Sequence, residues 1–257
     1  MQRVVVRFYE ELNDFLPRDR RRRDLEIESR GRRSVKDLIE SLGVPHVEVD
    51  LILVNGESVG FDRIVADGDR ISVYPVFERL DITSVTRLRP EPLRTPRFVL
   101  DVHLRKLARR LRLLGFDVDY LPNRDDAELA AVAEAEDRIL LSRDQRLMMR
   151  KNVSRGLWVR ATDPELQVEE ILDRLDLRAL CRPFTRCVEC NGIIEAVNDR
   201  DPEIGTRVPP GVLAWCSVYH RCRQCGRFYW KGSHYEKLRK RLEKIAAGGG
   251  VNLDGVD

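Results

Sequence analysis

The chain has 257 residues, of which 42% are hydrophobic and 35% charged, with a net charge of +3. That is apolar content for packed cores and length for two or three small domains, and no run reaches the about 18 apolar residues of a membrane span. Six cysteines in a chain this long, with no apolar leader before a first strand that opens at Val4, argue against a small secreted disulfide scaffold and for reduced thiols in the cytoplasm.

Residues 1–80 read as one unit. Val4, Val6 and Phe8 alternate as a strand, and after the basic stretch Arg18 to Arg23, Leu25 and Ile27 alternate again. Ser34 caps a helix, with Asp37 as its capping-box partner, Val35, Leu38, Ile39 and Leu42 as its apolar stripe and Gly43 as its stop. A third strand over residues 51–54 runs into Asn55-Gly56, a strong hairpin signal. Asp67-Gly68-Asp69 turns into a last strand from Ile71. Strand, strand, helix, strand, strand is a β-grasp order. The segment, above all VNGESVGFDRIVADGDRISVYP, resembles the ubiquitin-like sulfur carriers. Those carriers end in a free Gly-Gly, whereas here the chain continues through Phe77 and Glu78, and Gly248 to Gly250 are followed by seven more residues. A docking or protein-interaction module is the better reading.

Residues 81–97 form a linker carrying Pro90, Pro92 and Pro96. From 98 to 180, short apolar strands alternate with helices: strands at 98–100, 116–121, 139–141 and 157–159, helices near 104–111, 126–136, from 144, and 164–175. This α/β alternation implies a parallel sheet with helices on both faces. Ligands of such sheets bind beyond the carboxyl ends of the strands, and an acid follows each one: Asp101, then Asp125 and Asp126, then Asp144, then Asp163. Carboxylates sharing a crevice raise one another's pKa unless cations intervene. Magnesium or manganese suits oxygen ligands, and a bound water can then attack phosphorus in line. Each acid except Asp101 also has a helix-capping reading: Asp125 or Asp126 before Glu128, Asp144 in a first turn, Asp163 before Pro164.

Cys187 and Cys190 form one C-x-x-C pair, Cys222 and Cys225 another, separated by 31 residues. Two such knuckles suit a structural tetrahedral zinc in a ribbon with a long insert, over 181–245, ahead of a flexible tail at 246–257. Cys181 and Cys216 read as small buried hydrophobes. Charge is unevenly spread. Residues 102–116 hold Arg105, Lys106, Arg109, Arg110 and Arg112 with no acid, and residues 227–245 hold seven basic residues against two acids. Such clusters are solvated helix faces or polyanion contacts. In FYWKGSHYEKLRKRLEK, aromatics interleave with cations as a base-stacking, phosphate-binding surface would; Phe228 and Trp230 can equally be the ribbon's small core.

Together, FVLDVHLRKLARRLRLLGFDVDYL, DDAELAAVAEAEDRILLSRDQRL, CVEC and CRQCGRFYWKGSHY resemble the Mut-seven C-terminal RNase family over nearly the whole chain. The resemblance implies a PIN-like nuclease domain joined to a zinc ribbon, some members adding an N-terminal ubiquitin-like domain. It implies metal-dependent RNA cleavage with acids at Asp101, Asp126 and Asp144. The expectation is therefore an α/β chain: an N-terminal β-grasp, a central PIN-like parallel α/β sandwich and a C-terminal zinc ribbon. Asp101, Asp126 and Asp144 would bind Mg or Mn, with Asp163 as a further catalytic acid. Arg105, Lys106, Arg109, Arg112, Trp230, Lys231 and His234 would hold RNA, and a protein partner could dock on the ubiquitin-like domain. The alternative is a non-catalytic RNA- or ribosome-binding adaptor on the same fold. A phosphoacceptor receiver also groups acids at strand ends, but Val159-Arg160-Ala161-Thr162 lacks the lysine it needs.

Overall fold

The structure is a computed structural model and describes residues 2–29, 31–75, 87–88, 96–198, 200–233 and 235–248. In chain order its elements are β1 (Gln2–Phe8), β2 (Leu25–Ser29), α1 (Val35–Ser41), β3 (Val49–Val54), β4 (Glu57–Ser58), β5 (Arg70–Pro75), β6 (Arg97–Leu100), α2 (Arg105–Leu113), β7 (Asp117–Asp119), α3 (Asp126–Ala135), β8 (Ile139–Ser142), α4 (Gln145–Met148), β9 (Gly156–Trp158), α5 (Pro164–Arg174), β10 (Ile194–Ala196), α6 (Ile204–Arg207), α7 (Pro210–Leu213), β11 (Tyr219–Cys222), β12 (Phe228–Trp230) and α8 (Tyr235–Ala246). No helix among the described residues is long and apolar enough to cross a membrane. Most of the expected linker, the end of the β-grasp at Phe77 and Glu78, and most of the tail lie outside the described residues.

Three sheets result. The first, ordered β2-β1-β5-β3-β4, is mixed, with β1 parallel to β5 and its other pairs antiparallel. The central sheet is ordered β7-β6-β8-β9, with β6 parallel to β7 and β8 parallel to β9. The third, β10-β11-β12, is antiparallel. The expected β-grasp, parallel α/β layer and cysteine-bearing strands are all present. The chain divides into two compact units, residues 1–95 with 125–158 and residues 96–124 with 159–257.

In the first unit, alternation on β1 buries Val4, Val6 and Phe8 against α1, whose Val35, Leu38 and Ile39 close the β-grasp core. The Ser34–Asp37 capping box starts α1 as expected; such a cap stabilises by about 1 kcal/mol. Asn55 and Gly56 both take positive φ, 54° and 88°, which turns β3 into the short β4. A 3-10 turn at His46–Glu48 packs the β-grasp against β9. There Glu48, fully buried, accepts the Trp158 backbone N–H at 2.6 Å, His46 Nε2 lies 2.9 Å from the Val153 carbonyl, and Phe15 packs on the Trp158 ring at 4.9 Å. Within this unit the β-grasp is a packed part of one body. In the second unit, α2 buries Leu107, Ala108 and Leu111 and packs on β7 and α5, with Arg110 holding Glu165 of α5 at 2.6 and 2.9 Å. Gly115, at φ +96°, ends that segment where an added Cβ would lie 2.1 Å from the Arg182 carbonyl oxygen.

Candidate functional site

The best-defined site is built from the two knuckles. Each turns through a left-handed residue, Asn191 at φ 69° and Gly226 at φ 72°, closed by Asn191 N–H to the Cys187 carbonyl (2.9 Å) and Gly226 N–H to the Cys222 carbonyl (3.0 Å). The sulfurs of Cys187, Cys190, Cys222 and Cys225 all lie within 4.8 Å of one another. Cys187 is 3.6 Å from Cys225 and Cys190 is 3.4 Å from Cys222. Zn–S bonds of about 2.3 Å in a tetrahedron imply S···S edges of about 3.8 Å, so four thiols at this spacing fit a closed zinc site. Burial pushes Cys190 up to about 12 and Cys225 up. Burial also raises Cys187, but hydrogen bonds from Tyr229 and from the backbone of Cys190 and Glu189 outweigh it and bring this thiol down to about 7. A dication at the centre would hold all four as thiolates.

Two residues of this site escaped the sequence reading. Tyr229 Oη lies 3.0 Å from Cys187 Sγ, an outer contact of the kind that orients metal ligands. At Gly192 an added Cβ would lie 2.6 Å from Cys222 Sγ and 2.8 Å from Gln224 Cβ. The signal was the pattern C-N-G and C-G directly after each knuckle. Cys181 is buried as expected, its thiol pushed up to about 11 by burial. Cys216 is only half-buried against the small ribbon core of Ile204, Val208, Tyr219 and Phe228.

The acids each follow a strand. Asp101 comes directly after β6, is 7% exposed and opens a 3-10 turn at Val102–Leu104 without bonding that turn through its side chain. Tyr120 Oη donates to the Val102 carbonyl at 2.9 Å and steadies the turn. Asp126 is the first, exposed residue of α3, and the capping box belongs to its neighbours Asp125 and Glu128. Asp144 caps α4 by accepting the Arg146 N–H at Oδ1, 2.8 Å. Asp163 caps α5 by accepting the N–H groups of Glu165 and Leu166 at Oδ1, 2.8 and 3.1 Å. The capping readings thus hold for Asp125, Asp144 and Asp163. In both Asp144 and Asp163 the cap uses Oδ1.

Residues 96–242, more than half of the chain, match the family model described as Mut7-C RNAse domain. The chain belongs to the Mut7-C RNAse domain family. Residues 1–81 match the model described as Mut7-C ubiquitin. Neither a curated protein nor a solved structure matches the chain. The Mut7-C RNAse domain match points to a nuclease-like role and the Mut7-C ubiquitin match to a ubiquitin-like N-terminal segment, as the resemblance implied.

The cations expected on the RNA side of the Mut7-C RNAse domain separate into two groups. Arg105 and Lys106 are exposed at the start of α2. Arg109 is paired with Glu189 at 3.1 Å. Arg112 is 4% exposed: its guanidinium donates twice to the Val118 carbonyl (2.9 and 3.1 Å) and to the carbonyls of Val188 and Glu189 (3.2 and 2.7 Å). It joins helix, strand and knuckle, so the expectation that Arg112 holds RNA is corrected: its guanidinium is buried among backbone carbonyls. Val118 of β7 and the first knuckle cover this position, and only their ring of carbonyls makes a cation tolerable there. In the Mut7-C ribbon, Phe228 is core, Trp230 is half-buried against it, and Lys231 is exposed 5.2 Å from the Tyr235 ring centroid. His234 lies outside the described residues.

Proposed function

We propose that the chain is a divalent-metal-dependent ribonuclease that hydrolyses RNA phosphodiesters, cutting within the strand. The observation that carries the reading is the match of residues 96–242 to an RNAse domain family, read with an acid after the carboxyl end of every strand in the parallel layer. Asp101, Asp126 and Asp144 would hold Mg or Mn, with Asp163 as a further catalytic acid. Their oxygen donors suit a hard cation. When bound, such a cation lowers the pKa of water and offsets charge on the leaving oxygen. The chain's own part is positional. Asp101 is fixed at the end of β6 by burial, and Asp144 and Asp163 are fixed by their helix caps. Arg105, Lys106, Lys231 and the half-exposed Trp230 would hold the strand, and the four cysteines would hold a structural zinc.

Asp101→Asn and Asp144→Asn, assayed on labelled RNA with Mg or Mn, should each lower cleavage by at least a hundredfold, with RNA affinity within about threefold of wild type. Cleavage retained in both variants would reject these residues as the site. Binding without metal-dependent cleavage by the unaltered chain would instead favour an adaptor.

A further inference from the structure

We propose that the cleft along β12 of the ribbon is a binding site for one or two nucleotides of single-stranded RNA, with Arg207 and Arg227 as its phosphate ligands and Trp230 as its base-stacking face. The proposal rests on the ribonuclease reading for the identity of the polymer, while the site itself is argued from its own walls.

The cleft has a volume of about 660 Å³ and is bounded by Arg207 on one side and by the run from Cys225 to Trp230 on the other. Ligand clefts are commonly about 300–1,000 Å³, and a nucleotide fits. Among the described residues, no acid lines it. The neighbouring cleft of about 730 Å³ makes the contrast. It also reaches Arg207 but carries Glu195, Asp201 and Glu203, and its arginines are matched by those acids: Arg221 lies 3.2 Å from Asp201, and Arg223 is paired with Glu195. Arg207 and Arg227 are ion-paired too, but neither of their acids lines this cleft. Arg207 pairs with Glu203 at 3.1 Å, and Arg227 lies 3.8 Å from Glu189. Exposed pairs of this kind are worth little and can exchange for phosphate.

The walls are preorganised. Arg207 Nη1 is 3.4 Å from the Gly226 carbonyl, and Gly226, without a Cβ, lets that guanidinium lie over the knuckle: a Cβ there would be 2.6 Å from Nη1. The Tyr229 ring is tethered through its hydroxyl to Cys187. Trp230 packs one side on the ribbon core and leaves the rest accessible. Aromatic faces stack any base, and guanidiniums at the rim take the backbone between bases. β12 is the last strand of its sheet, so strand addition by an acidic peptide is the rival occupant. With only three residues, β12 offers too short a ladder to hold one.

The test uses the full chain with its zinc content verified and without added Mg or Mn. Binding of a labelled oligouridine octamer is followed by fluorescence anisotropy across salt concentrations. Arg207→Gln and Arg227→Gln should each weaken binding about five- to tenfold at ~0.1 M salt and lower the log–log salt slope by about 0.7. In the wild type, photo-crosslinks from 5-iodouridine should map to residues 225–230. A double variant that binds within twofold of wild type with an unchanged slope, crosslinks confined elsewhere, or an acidic octapeptide that displaces the RNA at lower concentration than unlabelled octamer would each overturn the proposal. The two readings fail separately. Loss of cleavage in Asp101→Asn with normal binding by the arginine variants removes this cleft alone. Full cleavage by Asp101→Asn with RNA lost from the arginine variants removes the acidic site alone.

Discussion

Arg112 and Arg105 lie on the same helix and do opposite things. Arg105 is in solvent, whereas Arg112 is 4% exposed with its guanidinium bonded to the carbonyls of Val118, Val188 and Glu189. Removing a buried donor leaves its acceptors desolvated and unmatched, which costs more than the bonds themselves contribute. Arg112→Met should therefore destabilise the fold by roughly 2–4 kcal/mol, read from the shift in urea midpoint at constant slope. Arg105→Gln should shift that midpoint by less than about 0.5 kcal/mol and show its effect only in RNA binding. An Arg112→Met protein as stable as wild type would show that the carbonyl ring does not depend on the cation. Composition alone could not separate the two residues. Helical phase could not either, since residues seven apart share a helix face; Arg112 is buried because Val118 of β7 and the knuckle carbonyls of Val188 and Glu189 cover it.

The 3-10 turn at His46–Glu48 carries the packing of the β-grasp on the segment around β9. His46 stands 2.7 Å from Glu40 and 2.9 Å from the Val153 carbonyl, with Phe61 edge-on at 5.8 Å. Burial, and then the positive charge of Lys36, lower its pKa below the usual 6.5; Glu40 and Val153 pull the other way without making up the difference. The unfolded chain therefore takes up a proton near 6.5 that the folded chain resists until lower pH. This ring's contribution to stability is intact above about 6.5 and is lost as pH falls through the folded value. Wild type should lose stability between pH 7 and 5 more steeply than His46→Gln, measured by urea titration at each pH, and parallel curves would refute the assignment. Elements with local causes were legible: the Ser34 cap, the Asn55-Gly56 turn and the alternation of β1. The 3-10 turns and the two-residue β4 were not, because they owe their form to tertiary packing, and the docking of Glu48 on Trp158 joins residues 110 positions apart.

At the scale of the whole chain, the order β-grasp, parallel α/β layer, ribbon is readable from motifs, and the cysteine site was legible residue by residue because its spacing is its chemistry. The division into units was not legible, since residues 96–124 group with the ribbon and residues 125–158 with the β-grasp. The second unit shows why. Asn191, inside a knuckle, accepts the Val118 N–H at 2.9 Å and donates to Asp117 at 2.9 Å, and Arg186 meets Asp117 at 3.2 Å. With Arg112, these contacts bind the ribbon's first knuckle to β7 and α2. Metal binding and folding are linked wherever a site exists only in the folded chain, so this linkage should reach beyond the cysteines. Stripping zinc with a strong chelator should release one equivalent and raise amide exchange across residues 187–230. It should also raise exchange in residues 105–119, which contain no ligand. The β-grasp closes its own core between Val4 and Val73, and its central amides should keep their protection, as cooperative units open separately. Exchange that rises in the ribbon alone would mean that the knuckle and α2 are neighbours without being one folding unit.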